Sequence, residues 1–545
     1  MTKKTSVTQS IRAGSQLIIT TICTFGYQSV RQLAEQCHRS KSSVHRHLQA
    51  YKRRNQYSES YFWETEEGSS FLRRLCCATL YLFGLKHHVG ADQLSEYFRL
   101  LRIDTHVGVS ASALRQWVRE LEQHLAEFQQ VQEASAHCPE SERTVAMDET
   151  FFSQMMVLVM MDLPSRYILL EEPADDRCYE TWKTRACGRL EALGLTVRHA
   201  VSDRAKALIK LSLTGFQCQA GADLFHAQYD LSRWLSLPLG RATKTLADSL
   251  EKARKQLVKH QKKAQCNPDE TARFEAEVRR AEQVHQECLD AQTAYRQHQQ
   301  AMSDIVHPFD PASGLAQDQS TVLTALQCES ETLETLAEER LISDPKGYLK
   351  KFRRQMDDLS QHVGVWWLWI NTLLEDGVSD PTQNHWVKNR MMPVVYWHER
   401  MEQTRKKEPR RLYQSAWKKA LQAYQDDPLT QRLSEEQIQH WRQWCENKVR
   451  HFQRTSSAVE GRNGCLAQLY HNGRGLTPTR LKALTVIHNY GIRQPDGSTP
   501  ASRLFGQKFP DLFEWLLAEM KPLPLPRKRR GRKISNPLIL KECPA

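Results

Sequence analysis

The sequence predicts a mixed α/β core that is split by a large all-helical insertion and preceded by an all-helical region. Three observations carry this expectation. Short apolar runs with strand character crowd into residues 143–222, with one helical pattern among them. Apolar residues then recur at helical spacing through a long charged stretch that ends near residue 450. Before residue 130, helical periodicity is broken only by short polar turns. At 545 residues the chain exceeds what one apolar core organises, so three or more domains are expected.

In the core, Arg143 to Phe151, Met155 to Asp162 and Arg166 to Glu172 read as short strands, the last two joined through Pro164-Ser165. A helix over Tyr179 to Leu193 stops at Gly194, a natural C-cap. Strands over Val197 to Val201 and Cys218 to Ala222 follow, the second leading into a helix through Trp234. Asp148 interrupts the apolar run Thr144-Val145-Ala146-Met147-Asp148-Glu149-Thr150, and an ionised acid in that setting needs a partner. Asp203 ends the run from Val197, and Glu460 opens a helix-like stretch in Ser456-Ser457-Ala458-Val459-Glu460-Gly461-Arg462-Asn463. Acids are the expected ligands of magnesium. Each also has a plainer reading. Ser202 or Asp203 would cap the helix beginning near Ala205, and Ser457-x-x-Glu460 fits a capping box. Asp162, Asp175 and Asp176 read as solvated turn residues.

Taken together, Met147-Asp148-Glu149-Thr150, Ser202-Asp203, the D-x-x-H box Asp223-Leu224-Phe225-His226 and Glu460-Gly461-x-Asn463 resemble the DDE transposases of bacterial insertion sequences. The resemblance covers roughly Arg143 to Arg241 and His451 to Arg493. It implies a ribonuclease-H-like core in which the strand ending in Asp203 lies parallel to the one carrying Asp148, joined by a right-handed crossover. It further implies that Asp148, Asp203 and Glu460 are catalytic and hold two Mg2+ ions, with Mn2+ able to substitute. One metal would activate water and later the freed 3′-hydroxyl, while the other stabilises the leaving oxygen. His226 would join the site by orienting water, phosphate or an acid; the alternative is a hydrogen-bonded histidine at a helix start capped by Asp223. The implied partners are double-stranded DNA, both element ends and target, and a second copy of the chain, since synapsis of two ends needs at least a homodimer. The implied setting is cytoplasmic and nucleoid-associated, in a bacterium. One departure from the family pattern stands out: many relatives place a DNA-contacting Lys or Arg one or two turns after the glutamate, no clear one stands there in this sequence, and Arg462 is the candidate substitute. Two rival readings stay open: a metal-dependent DNA nuclease on the same core that does not transpose, and a helix-turn-helix regulator with an inactive core.

Two N-terminal segments have helix-turn-helix character. Residues Ser29 to Cys37 and Lys41 to Tyr51 show helical spacing around a break at His38-Arg39-Ser40. A basic second helix suits the major groove, with Lys41, Ser43, Arg46 and His47 towards DNA and Val44, Leu48 and Tyr51 inward. Lys52, Arg53 and Arg54 would meet phosphates. The second segment runs from Ala91 to Phe98 and, after Ser110 as N-cap, from Ala111 to Val118, with Arg115 and Arg119 on its polar side. Here an ordinary core stripe of Leu114, Trp117, Val118 and Leu121 is the competing account. Gln129 to Glu142 reads as a linker.

The insertion is expected to open with a helical hairpin, Leu246 to Lys263 and Thr271 to Met302, broken at Cys266-Asn267-Pro268-Asp269. The run Val365-Trp366-Trp367-Leu368-Trp369-Ile370 is too short to span a bilayer and reads as a buried helix whose indoles need partners, with base stacking on one ring as the less ordinary alternative. Arg527 to Lys533 reads as a basic tail for DNA phosphates. The expected divisions are a helix-turn-helix region over 1–60, a second helical region over 61–130, core over 143–242, insertion over 243–450, the end of the core over 451–495 and a C-terminal helix with its tail over 496–545. The net charge of +13 and pI near 9.1 fit a polyanionic partner. No signal-peptide pattern follows Met1, and no apolar stretch is long enough for a membrane span. The 14 cysteines show no C-x-x-C pair and read as reduced core residues.

Overall fold

The structure is a computed structural model that describes residues 17–22, 24–25, 28–153, 155–262, 267–377, 380–471 and 476–526. The basic run Arg527 to Lys533 and Cys266 of the hairpin break lie outside the described residues. The chain forms two compact units. One holds the described residues through Ser135, together with Gln468–Arg493 and those from Lys508 onward; the other holds Ala136–Ala467 and Gln494–Gln507. The C-terminal stretch is shared between the two units.

In the first unit, helices Val30–Gln36 and Lys41–Arg54 are each started by a serine. Ser29 makes a capping box with Gln32, and the Ser43 amide donates to Ser40 Oγ at 3.2 Å. Val44 packs against Ile18, Leu33, Ala34 and Cys37. Helices Ala91–Leu100 and Ala111–Ser135 form the second segment, and the Ala113 amide donates to Ser110 as expected. The latter helix extends to 25 residues because Leu125 and Phe128 prolong the buried stripe of Leu114 and Leu121. Residues 129–135, expected as linker, are therefore helical.

The second unit contains a five-stranded mixed sheet among its described residues, in the order β3-β2-β1-β4-β5. The strands are β1 Glu142–Phe152, β2 Met155–Asp162, β3 Tyr167–Ala174, β4 Thr196–Ser202 and β5 Gln219–Ala222. β1 to β3 are antiparallel neighbours, whereas β1/β4 and β4/β5 pair in parallel. The crossover from β3 to β4 is the helix Tyr179–Leu193, ended by Gly194 in the left-handed region at φ 64°. Asp162 corrects its solvated reading: it is buried and takes the Ser165 amide at 3.0 Å, as a turn residue inside the core.

After β5 come the helix Leu224–Leu231, a π-helical turn over Ser232–Ser236, and the long hairpin Leu237–Gln261 and Pro268–Ile305. Asn267 caps the second arm, with proline at its first position. Leu224, Ala227 and Leu231 belong to the same apolar cluster as the insertion helices Gln319–Glu339, Tyr348–Gly377, Met392–Gln403, Lys407–Gln425 and Glu435–Arg450. The insertion thus packs directly against the helix that carries His226. The tryptophan run lies in Tyr348–Gly377. Trp366 donates to the Lys448 carbonyl at 3.3 Å and Trp367 to that of Gln317 at 2.9 Å, both rings being buried. The Arg198 guanidinium covers Trp369 at 3.5 Å from the ring centroid. The protein itself occupies these rings, which removes base stacking on them.

A buried histidine pair joins the sheet to the insertion. His199 Nε2 and His362 Nδ1 lie 2.8 Å apart, and His362 Nε2 is 2.7 Å from the Ala222 carbonyl. A carbonyl only accepts, so Nε2 of His362 carries its proton, its Nδ1 accepts, and His199 Nε2 donates. Gly221 is needed beside them: a Cβ there would sit 2.5 Å from the His362 ring and 2.7 Å from His199.

The 11 described cysteines are free thiols, but Cys178, Cys328 and Cys465 are exposed rather than in the core. No described helix is long and apolar enough to cross a membrane.

Candidate functional site

The parallel register of β1 and β4 pairs Ala146 with Val201, so Asp148 and Asp203, each two positions further on, stand at equivalent places towards the carboxyl ends of neighbouring strands. Such ends are where open α/β sheets place ligands. Beyond Asp203 the chain turns at once. Arg204 takes a left-handed φ of 68°, and Asp203 Oδ1 accepts the Ala205 amide at 2.9 Å. The turn-forming reading of Asp203 therefore holds for one of its oxygens.

Asp223 does two jobs. As N-cap of Leu224–Leu231 it accepts the Phe225 amide at 2.7 Å through Oδ1. Its Oδ2 takes the Ser456 amide at 3.1 Å and the Ser456 hydroxyl. This carboxylate, 2% exposed, ties the start of the His226 helix to the start of the helix Ser457–Leu469, which carries Glu460. Burial raises its pKa, and the Ser456 bond opposes the rise. Glu460 lies in the first turn of its helix, yet its carboxylate turns to His226, with Oε1 3.0 Å from Nε2. The capping-box account of Glu460 gives way to this pairing. One turn along, Asn463 Nδ2 donates to Asp148 Oδ2 at 2.8 Å.

One ligand atom each from Asp148, His226 and Glu460 lie within 4.8 Å of one another. Burial pushes the Asp148 carboxyl up to about 7, with the charges of Glu460 and Asp203 adding to the effect and His226 opposing it. The hydrogen bond to Glu460 lifts His226 to about 9, and the same bond holds Glu460 below its ordinary value. An imidazolium thus balances the acids where a cation would sit. Two carboxylates suit a hard divalent ion, and beside them Asn463 Oδ1 is buried without a hydrogen-bond partner; the imidazole nitrogen suits a borderline divalent metal better than magnesium. Asp203 lies outside the close trio, although its charge raises both Asp148 and the neighbouring Glu149. Glu149 is held by the Trp182 indole at 3.1 Å.

The residues expected to meet DNA divide into two sets. Lys41, Arg46, Lys52 and Arg53 are exposed along Lys41–Arg54, while Ser43 and His47 are half-buried. Burial, followed by the charge of Arg39, lowers the His47 pKa. Arg54 instead donates two largely buried hydrogen bonds to Glu64, at 2.9 and 3.2 Å, which leaves its guanidinium committed to the protein. Arg115 is exposed and pairs with Asp92 at 2.6 Å. Arg462 is the clearest correction: it is buried in a bidentate pair with Glu171 of β3, at 2.7 and 2.6 Å, and is not placed to touch phosphate. Its part is to clamp the Glu460 helix onto the sheet.

Asn463, named only within the Glu460-Gly461-x-Asn463 motif, and Ser456 are site residues to which sequence reasoning gave no role. Asn463 had a signal, since it follows Glu460 by three positions and so shares its helix face. Ser456 had none, because its partner Asp223 is 233 positions away. The pattern of a family of unknown function (DUF6399) matches residues 387–532, a span that includes Glu460 and Asn463 but not Asp148, Asp203 or His226. No curated protein matches the chain.

Proposed function

We propose that this chain is a DDE-type DNA transposase whose sheet-bearing unit is a ribonuclease-H-like catalytic core. The carrying observation is the convergence of Asp148, His226 and Glu460, from three separate segments, on one small volume, with Asp203 ending the strand beside Asp148. The β1/β4 parallel pairing across the Tyr179–Leu193 crossover supports the fold assignment. The exposed basic face of Lys41–Arg54 supports DNA as the partner.

On this reading Asp148, Glu460, Asp203 and His226 Nε2 would hold the divalent ions. Bound metal would supply the Lewis acidity that activates water or a 3′-hydroxyl and steadies the leaving oxygen. Asn463 donates to Asp148 Oδ2 and so orients that carboxylate. The Asp223–Ser456 bridge sets the approach of His226 to Glu460, and the Arg462–Glu171 clamp sets the helix against the sheet. His226 holds a proton on Nε2 against Glu460, and that proton must leave before the nitrogen becomes a ligand.

The test is Asp148→Asn, Asp203→Asn and Glu460→Gln, each assayed for end cleavage and strand joining in magnesium and in manganese, with melting and end binding as controls. Loss of cutting in all three with folding and binding retained is expected. Near-wild-type cutting by one variant strikes that residue from the site, and by all three overturns the mechanism. Cutting without joining in the wild type would identify a nuclease that does not transpose.

A further inference from the structure

The helix that delivers His226 presents an exposed stripe that the proposed chemistry leaves unused. Its inward positions, Leu224, Ala227 and Leu231, are buried, while Phe225 and Tyr229 remain 44% and 53% exposed. Phe225 and Tyr229 share one face at i and i+4, and Arg233, in the π-helical turn that follows, is also exposed. The two aromatic rings are near-parallel, at 15° with centroids 6.4 Å apart, and the Phe225 ring lies 5.6 Å from that of His226. The Arg233 guanidinium lies 5.9 Å from the Tyr229 ring and 5.7 Å from the Tyr348 ring. The one acid on this part of the helix, Asp230, is neutralised by Lys351 at 2.5 Å.

Large aromatics turned to solvent in a row are uncommon in a surface that has no partner. We infer that Phe225 and Tyr229 form a stacking shelf for unpaired nucleobases of a DNA strand leading to the Asp148–His226–Glu460 site, with Arg233 meeting its phosphates. The inference rests on the proposed reading of that site. The shelf begins at the residue next to His226, so it is continuous with the place where a phosphodiester would lie. The two rings present near-parallel faces, the orientation that successive stacked bases share. A duplex hides its base faces in its own stack, so a shelf of this kind selects single-stranded or flipped nucleotides. The cation at the far end complements the backbone that such a strand carries.

The experiment uses the full chain in EDTA, where binding is read without cutting. The probe is a single-stranded oligonucleotide containing 2-aminopurine, compared with the same sequence as duplex. Wild-type protein should quench the fluorophore in the single strand. Phe225→Ala and Tyr229→Ala should each weaken single-strand binding about 5- to 100-fold and reduce the quenching, as expected for loss of one stacking ring. Duplex affinity should stay within about twofold, and Tyr229→Phe should retain single-strand binding. Unchanged single-strand affinity and quenching in both alanine variants would overturn the shelf, as would equal loss on single strand and duplex. Loss of self-association on sedimentation with single-strand binding intact would overturn it in favour of an interface between copies. Cutting of duplex ends by wild type in magnesium is scored separately. A protein that stacks bases but never cuts refutes the transposase reading alone, and one that cuts without stacking refutes the shelf alone.

Discussion

The buried pair His199–His362 should make the seam between sheet and insertion acid-labile. Burial is the main reason that both imidazoles resist protonation: His362 is held down at about 4, and His199 well below its ordinary value. Protonating His362 at Nδ1 would also break the donor-to-acceptor chain that ends at the Ala222 carbonyl. The folded pKa is depressed from an unfolded value of 6.5, so the unfolded state takes up the proton first as pH falls. Stability is therefore complete above pH 6.5 and is lost on the way down to about 4. At about 1.36 kcal/mol per unit, His362 accounts for a loss on the order of 3 kcal/mol over that window, and His199 adds a slope of the same sign. The perturbation is His362→Gln, which keeps a donor and an acceptor but does not titrate. Urea unfolding from pH 7.5 to 4.5 reads the effect. The variant should start less stable than wild type at pH 7.5 and lose about 2 to 3 kcal/mol less over the acid range. Parallel stability curves for variant and wild type would refute the reasoning, because the pair would then contribute nothing to the acid slope.

Three further outcomes are expected. In metal-free protein Asp148→Asn should stabilise the fold above pH 7, by up to about 4 kcal/mol and by less where His226 loses a counter-charge, because a carboxyl raised to about 7 costs stability as pH rises from its unfolded value. That gain should vanish near pH 4, and magnesium should raise the melting temperature of wild type but not of the variant; a gain independent of pH would contradict the electrostatic account. Arg462→Met should destabilise by about 3 to 5 kcal/mol, since it strands Glu171 as a buried unpaired charge, while the folded fraction binds DNA as wild type does. A stable variant with weakened DNA binding would restore Arg462 to the interface. In gel-shift titrations Arg46→Ala should cost about 1 to 3 kcal/mol on the specific end only, and Lys52→Ala should weaken specific and scrambled duplexes alike. Arg54→Ala should instead show itself in melting, because its guanidinium belongs to Glu64.

What the sequence determined by itself was local. Apolar periodicity located the helix Tyr179–Leu193, glycine chemistry stopped it at Gly194 with φ 64°, and asparagine followed by proline opened the second arm of the hairpin. The strand-like runs around Asp148 and before Asp203 were legible because a buried strand must be apolar on both faces, which also made Asp148 conspicuous. Tertiary structure alone decided the partners. Nothing local distinguishes Arg462, buried against Glu171, from a surface arginine such as Arg115, and nothing near Asp162 announces that its turn is sealed in the core. The Asp223–Ser456 bridge, the His199–His362 pair and the sharing of the C-terminal stretch between two units depend on contacts between residues far apart in the chain. The physical reason is that spacing along a helix or strand fixes which face is turned inward. The group that face meets is set by how distant segments pack, and whether a charge is exposed, paired or poised beside other charges follows only from that packing.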